Sequence, residues 1–519
     1  QMTQDITCTT DSSGTGSNST HPVCITGYKP KWYPIGSYTQ QGFEGTFDGD
    51  GHTITGIYTD WTAEDYTHDL FYLSFQSNGC YMGLFGCNRG IIQNLTVANP
   101  MGAEGIFDDS NAARPHFDTV PIVGSIAGYN DGTIRHCVNQ ASVISSIEAG
   151  GIAGNNYGII EQCVNEGFVR GDVSAGGITV RNGDIIRECA NIGDGVSKLG
   201  PLAYDGVSYE IQTAGGIAVI NDSNGSITNS YNTAQVLCIP VNIAAYPNVY
   251  GIAGGGTIEN CYNIGQVNLP KSGTFGTGSP IGGDNVSNVY AWNMDNKGSE
   301  SCFRTLEEMK QQQTYAGFDF EMIWAMPTDG DYPFPVLRNV NAAFTKYPIG
   351  MVMTKRPSRH VFLIDEELKT AITDGEFIIY YNDGSFTTDT TKYARTYQYN
   401  YKRKMFEWFD ILETVGSHSL VVFPHELWNF CYYDTFEGVS EKLPTDMKIT
   451  NIPVNTVYYE GDELDLNGLE VTVFYNTEQQ EIIEDYIVTG YDNTKVGKQI
   501  VTVSYGGFSQ TFEVTVNHD

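Results

Sequence analysis

The sequence predicts an all-β chain, a right-handed parallel β-helix followed by two small β-sandwich domains. Three observations predict it. A degenerate repeat with a minimum period of 26 residues runs through the first two thirds of the chain. Glycine makes up 58 of 519 residues, about 11% where roughly 7% is usual. Two later segments align with each other, strand for strand. At roughly 100–200 residues per domain the length calls for several cores, and the segments read as 1–29, 30–342, 343–443 and 444–519.

Residues 1–29 are rich in Ser, Thr and Gly without strand or helix periodicity and are expected to form an N-terminal cap. Cys8 and Cys24 bracket this stretch and are the first choice for a disulfide, with Cys80 and Cys87 second. Eleven cysteines in 519 residues are too few for a disulfide scaffold.

The repeat then takes over. Its copies are YMGLFGCNRGIIQNLTV (81–97), VGSIAGYNDGTIRHCVNQASV (123–143), AGGIAGNNYGIIEQCVNEGFV (149–169), AGGITVRNGDIIRECAN (175–191), AGGIAVINDSNGSITNSYNTAQV (214–236) and YGIAGGGTIENCYNIGQV (250–267), with a worn copy at 281–293. The Cys-x-Asn position falls at Leu95, Cys137, Cys163, Cys189, Ser230 and Cys261, spaced by 42, 26, 26, 41 and 31 residues. Short alternating runs such as Thr133–Val138, broken by Gly, Asn and Asp, are strand chemistry. Strands recurring at this period stack as coils about 4.8 Å apart. Tight corners then explain the glycine, through positive φ and close backbone approach, and Asn serves the same turns through its tolerance of αL. The cysteines at one coil position are expected to stack as free thiols in the core. Thr305-Leu306-Glu307-Glu308 has the spacing of a capping box and predicts one short helix closing the solenoid.

These units resemble the GLUG repeat of secreted bacterial surface proteins, including the repeat region of IgA1-specific metallopeptidases. The flanks agree, with Trp32-Tyr33-Pro34-Ile35-Gly36 and FEGTFDGDGHTITGIY (43–58) as the lead-in and Trp324 with Tyr332-Pro333-Phe334-Pro335 as the close. The resemblance implies an extracellular or cell-surface bacterial protein.

After residue 342, MTKRPSRHVFLIDEEL (353–368) aligns with ITNIPVNTVYYEGDEL (449–464), EFIIYYND (376–383) with EVTVFYNT (470–477), and VGSHSLVV (415–422) with VGKQIVTV (496–503). Short Val-, Ile- and Tyr-rich strands between Gly-containing turns predict sandwiches. The second copy, with Tyr458, Gly461, Asp462, Leu464, Asp465 and Val496-Gly497, resembles the bacterial Ig-like domain of the third group; the first is a divergent copy in which Asp365 replaces the glycine. Such domains serve as spacers or adhesive modules. The insert 393–409 is unusually basic and aromatic for this chain.

With 28 Lys+Arg against 61 Asp+Glu the net charge is −33, which disfavours nucleic acid and anionic membranes. No run reaches the ~18 apolar residues of a membrane span, and the start at Gln1 shows no basic-then-apolar leader, so the chain reads as a soluble, processed segment. A monomer without cofactor is expected.

Three sites were weighed. A zincin helix needs two histidines at i and i+4 around a Glu, and His425-Glu426-Leu427-Trp428-Asn429 has Asn where the second ligand belongs. Asp48-Gly49-Asp50-Gly51 lacks the twelfth-position Glu of a calcium loop, since Thr59 stands there, and reads as a plain turn. The third site comes from spacing alone. Residues 98–122, 192–213 and 237–248 are inserted at one place in the repeat and should project from a single edge of the solenoid. That edge carries Phe107, Arg114, His116, Phe117, Tyr204, Tyr209, Glu210 and Tyr246 as candidate binding residues. Its carboxylates Asp108, Asp109, Asp118 and Asp205 would be the acid–base set if the protein were a polysaccharide hydrolase or lyase. The preferred expectation is a binding protein that presents this edge to a host glycoprotein, immunoglobulin or glycan, with the Ig-like domains as a stalk. A carbohydrate-active enzyme is the alternative. A non-catalytic architectural fragment is the second, favoured by an end at Asn517-His518-Asp519 without a sorting signal.

Overall fold

The computed structural model describes residues 2–7, 32, 34–36, 42–57, 80–98, 106–107, 121–145, 147–171, 173–192, 196–199, 213–239, 248–268, 277–294, 300–328, 332–340, 342, 346–391, 393–400, 405–412, 414–423 and 432–518. Its architecture is nearly all β. A parallel β-helix is followed by two sandwiches, and helix is confined to short turns such as Leu306–Met309 and Leu368–Ala371.

One full coil shows the pattern. Its strands are Glu148–Gly150, Ala153–Asn156, Ile159–Glu161, Val164–Asn165 and Val169–Gly171. Each pairs in parallel with its equivalent 26 residues on, for example Ile160 with Ile186 and Ala149 with Ala175. The strands stack into a seven-stranded, a five-stranded and a six-stranded sheet and into two columns that merge through Thr257–Asn263.

The core is built from ladders. Ile134, Ile160, Ile186, Ile227 and Ile258 form one, and Ile126, Ile152, Ile178, Ile217 and Ile252 another, all fully buried. Leu95, Cys137, Cys163, Cys189, Ser230 and Cys261 form a third, also buried, and the cysteines are free thiols. Cys87 is a free thiol as well, which excludes the Cys80–Cys87 bridge. Cys8 and Cys24 lie outside the described residues.

Asparagine takes left-handed corners as the sequence leads one to expect, and glycine serves both positive φ, as at Gly255 and Gly282, and close approach. The left-handed corner ahead of the thiol ladder is occupied by Asn94, His136, Gln162, Glu188, Asn229, Asn260 and Asn288, with φ between 48° and 54°. The backbone N–H groups of Asn94, His136, Gln162, Glu188 and Asn229 are used between coils; Gln162, for example, donates to the Arg187 carbonyl at 3.1 Å. At the Gly-Gly-Ile triplets glycine is needed for close approach. A Cβ on Gly151 would lie 2.0 Å from the Gly177 carbonyl oxygen, and one on Gly177 1.9 Å from that of Gly216. The remaining asparagines form two buried amide ladders. In one, Nδ2 of Asn139 donates to Asn165, Asn165 to Asn191, Asn191 to Asn232 and Asn232 to Asn263, each at 2.7–2.8 Å. The other runs Asn88, Asn130, Asn156, Asn182, Asn221. Alternating donors and acceptors satisfy amides that burial would otherwise penalise.

The C-terminal end of the solenoid is closed by an aromatic core of Tyr231, Tyr262, Tyr290, Tyr315, Phe318, Trp324 and Phe334 around buried Met309. The expected helix is there, Leu306–Met309, with both capping-box bonds: Glu308 N–H donates to Thr305 Oγ1, and Thr305 N–H to Glu308 Oε2.

The two sandwiches share one topology. Pro444–Asn451, Glu470–Tyr475 and Gln480–Ile483 face Val457–Tyr459, Phe508–Asn517, Gly497–Tyr505 and Ile487–Thr489. The preceding domain repeats this as Pro348–Lys355, Glu376–Tyr381 and Phe386–Thr390 against Val361–Leu363, Tyr432–Val439, Gly416–Phe423 and Tyr393–Asn400. Asp365 adopts φ 68°, doing the turn of Gly461 at φ 94°. The insert 393–409 adds one strand, Met405–Phe409, antiparallel to Tyr393–Asn400.

Candidate binding surface

The site inferred from spacing can be traced through the strands on either side of each insertion. In a minimal coil, two residues join the six-stranded to the seven-stranded sheet, 146–147 in one coil and 172–173 in the next. In the coil before them 108–120 makes the same connection, and in the three after them 200–212, 240–247 and 269–276 do. The flanking strands stay in register throughout. Val143 pairs with Ile106 and Val169, Val196 with Val236, and Ala149 with Val123 and Ala175. The four long connections therefore begin and end at the same pair of sheets, and in the stack of coils the two short ones come between the first and the other three.

The boundaries are tighter than the sequence implied, because coil strands lie inside the spans taken as insertions. Ile106–Phe107 and Val196–Leu199 continue the six-stranded sheet, so residues 99–105 enter one corner earlier than 108–120. The fourth connection, 269–276, was missed because it follows the last clear Cys-x-Asn and produces no long spacing between two such marks.

Of the candidate binding residues, Phe107 lies in the strand Ile106–Phe107, paired with Ile144. Arg114, His116, Phe117, Tyr204, Tyr209, Glu210 and Tyr246 lie outside the described residues, as do Asp108, Asp109, Asp118 and Asp205. His425 to Asn429 do too. The short corners are tied together by backbone: Val173 and Ser174 N–H both donate to the Ile147 carbonyl, at 2.8 and 2.9 Å, and Thr213 N–H donates to the Val173 carbonyl.

Asp48 occupies the turn foreseen for it. One carboxylate oxygen accepts from Asp50 N–H at 2.9 Å and Asn94 Nδ2 at 3.0 Å, the other from Gln93 Nε2 at 2.8 Å. These bonds, the Asp50 backbone bond foremost, hold its carboxyl below the usual range. Among the described residues no three His, Cys, Asp or Glu side chains are grouped to hold a metal ion.

Comparison with known proteins decides the nature of the last domain. Residues 453–516 match the bacterial Ig-like domain, group 3. Bacterial Ig-like domains of this group are typical of surface proteins, and among the described residues no helix is long and apolar enough to cross a membrane. Two curated proteins match a short part of the chain. An exo-beta-1,6-galactobiohydrolase of Bifidobacterium longum is 39% identical over 71 residues, 12% of this chain and 5% of that protein. A pectate lyase L of Thermoclostridium stercorarium is 32% identical over 73 residues, 14% of this chain and 6% of that protein. The chain thus spans about a twentieth of the length of each relative.

Proposed function

We propose that the protein is a secreted or surface-displayed bacterial binding protein. In this reading the loop-bearing corner of the β-helix meets a host glycoprotein, immunoglobulin or glycan, and the two Ig-like domains hold it away from its anchorage. The observation that carries the reading is that 108–120, 200–212, 240–247 and 269–276 all begin at the six-stranded sheet and end at the seven-stranded one, as their flanking strands show. Architecture alone needs only two residues there, as 146–147 and 172–173 demonstrate, and stacked long loops on one face are where solenoid repeats place binding surfaces. The group 3 Ig-like domain supports a surface location.

A carbohydrate-active enzyme is the second reading. Two partial relatives carry names of enzymes that act on glycans, and Asp108, Asp109, Asp118 and Asp205 fall in two of the four long connections.

The test replaces 200–212 with a two-residue corner copied from 172–173 and compares it with the intact chain on a glycan array and in serum pull-down. The expected result is loss of capture with the solenoid still folded. Undiminished capture overturns the loop-corner reading. Release of reducing ends or unsaturated products from a polysaccharide panel, abolished by Asp118→Asn or Asp205→Asn, would establish the enzyme reading instead.

A further inference from the structure

We propose that the far end of the last sandwich is a docking seat for the hairpin turn of a further Ig-like sandwich of the same class, set in series with the two described above. The seat is made by Ile452, Val454, Asn455, Thr456 and Val457 and shares no residue with the loop connections.

Repetition along the chain identifies the seat. In each sandwich one hairpin turn meets the unit before it. That turn joins Glu376–Tyr381 to Phe386–Thr390 in the first sandwich and Glu470–Tyr475 to Gln480–Ile483 in the second. The two turns are built alike. Tyr381 N–H donates to the Ser385 carbonyl and Tyr475 N–H to that of Gln479, both at 2.9 Å, and Gly384 and Glu478 both take positive φ, 73° and 59°. The first turn sits against the cap of the solenoid, where a Cβ on Gly384 would lie 3.0 Å from Lys310 Cε. The second sits on the first sandwich: Arg359 Nε donates to the Thr477 carbonyl at 3.1 Å, and His360 N–H donates to the Glu478 carboxylate.

The receiving segment recurs in the last sandwich. Pro357 and Pro453 stand at equivalent places and both are buried. Glu437 N–H donates to the His360 carbonyl at 2.8 Å, as Thr515 N–H does to that of Thr456 at 2.9 Å. Leu363 N–H donates to the Glu366 carboxylate, and Tyr459 N–H to that of Asp462. Asn455 and Thr456 therefore stand where Arg359 and His360 receive a turn. The difference is cover. Val361 is half-buried, whereas its equivalent Val457 is 52% exposed. Val454, at 81%, is the most exposed large apolar side chain among the described residues, and Thr456 N–H has no partner among them. Apolar surface left open in this way marks an interaction site.

The chain also leaves the last sandwich at the matching place. Tyr432–Val439 ends with Val439 opposite Leu363, and residues 440–443 then lead into Pro444–Asn451. Phe508–Asn517 ends with Asn517 opposite Tyr459, the equivalent of Leu363. A sandwich joined there by a connection of the same length is placed as the second is on the first. The residues of the seat set the character of the contact. Arg356, Ser358 and Arg359 are replaced by Ile452, Val454 and Asn455, so docking depends on apolar burial rather than on charge and is only weakly sensitive to salt.

The experiment extends the chain from Asn517 through a copy of residues 440–443 into a second copy of 444–518, made once with its own turn and once with Glu478→Gly in the added copy. Amide hydrogen exchange of residues 452–459 in the original sandwich is followed by mass spectrometry. In at least one extended chain, exchange about tenfold slower than in the unextended chain is expected, at low and high salt alike, and Val454→Asp in the original sandwich should restore the faster rate. The same substitution in the unextended chain should leave thermal unfolding unchanged, because the side chain is exposed. Exchange as fast in both extended chains as in the unextended one, or slowing that survives Val454→Asp, overturns the seat.

Discussion

Gly177 sits where two coils come closest. A methyl group there would lie 1.9 Å from the Gly216 carbonyl oxygen and 2.5 Å from the Asn191 amide, itself part of a ladder. Neither neighbour is a flexible side-chain end, so the coils must separate locally. Gly177→Ala is therefore expected to cost about 1–3 kcal/mol as overpacking, read as a lowered denaturation midpoint of the solenoid. An unchanged midpoint would show that the coils yield without cost. That glycine mattered was legible in the sequence, because the Gly-Gly-Ile triplet recurs at fixed spacing. Which of its two properties mattered was not. Composition cannot separate positive φ from close approach, and in the corner ahead of the thiol ladder Asn, His, Gln and Glu take the positive φ, with an inter-coil hydrogen bond at Asn94, His136, Gln162 and Glu188.

At the scale of elements, the thiol ladder behaves as a unit. Cys137, Cys163, Cys189 and Cys261 are wholly buried, and each sulfur lies 3.2–3.3 Å from the carbonyl oxygen two residues before it, the thiol acting as donor. Burial pushes the Cys261 thiol up to about 12 and raises that of Cys163. The unfolded chain ionises near the ordinary value of 9.0, so above that pH it releases protons that folded Cys163 and Cys261 retain. Stability from this source is complete below about pH 9 and falls as pH rises towards 12. The expected outcome is a melting temperature that drops between pH 8.5 and 10.5, with a shallower slope in Cys261→Ala, and thiols that resist alkylation at pH 8 until the solenoid unfolds. The sequence revealed this ladder because Cys recurs at one phase of a 26-residue period. It did not reveal the second asparagine ladder, because Asn88, Asn130, Asn156, Asn182 and Asn221 occur in Asn-x-Gly, Asn-Gly and Asn-Asp contexts that are just as consistent with ordinary turns. Insertion 393–409 was visible only as composition; pairing with Gly416–Phe423 makes it a sheet extension.

Across the whole molecule, four hydrophobic cores follow one another along the chain, and they are not equally independent. The solenoid core and the aromatic cap share the coils of residues 164–294, and the first sandwich is joined to that cap both by packing, through Tyr347, Ile349 and the Trp292–Tyr380 ring contact, and by polar contacts. Gln266 donates through Nε2 to the Met351 carbonyl and accepts from Met351 N–H, both at 2.6 Å, its own N–H donates to the Ile349 carbonyl, and Tyr347 reaches Thr233. The junction between the sandwiches is lighter: Arg359, held by Glu366, donates to the Thr477 carbonyl, and His360 N–H meets Glu478. Solenoid stability is close to a sum of nearest-neighbour terms, and chains with several cores do not unfold in one step. Calorimetry is therefore expected to resolve at least two transitions, one for residues 444–518 and another in which the solenoid and the first sandwich melt together. Gln266→Ala removes the side-chain clamp without touching either core. It should lower the shared transition and leave the other in place. If the intact chain melts in a single transition, or if Gln266→Ala shifts every transition equally, the cores are coupled more widely than these contacts account for.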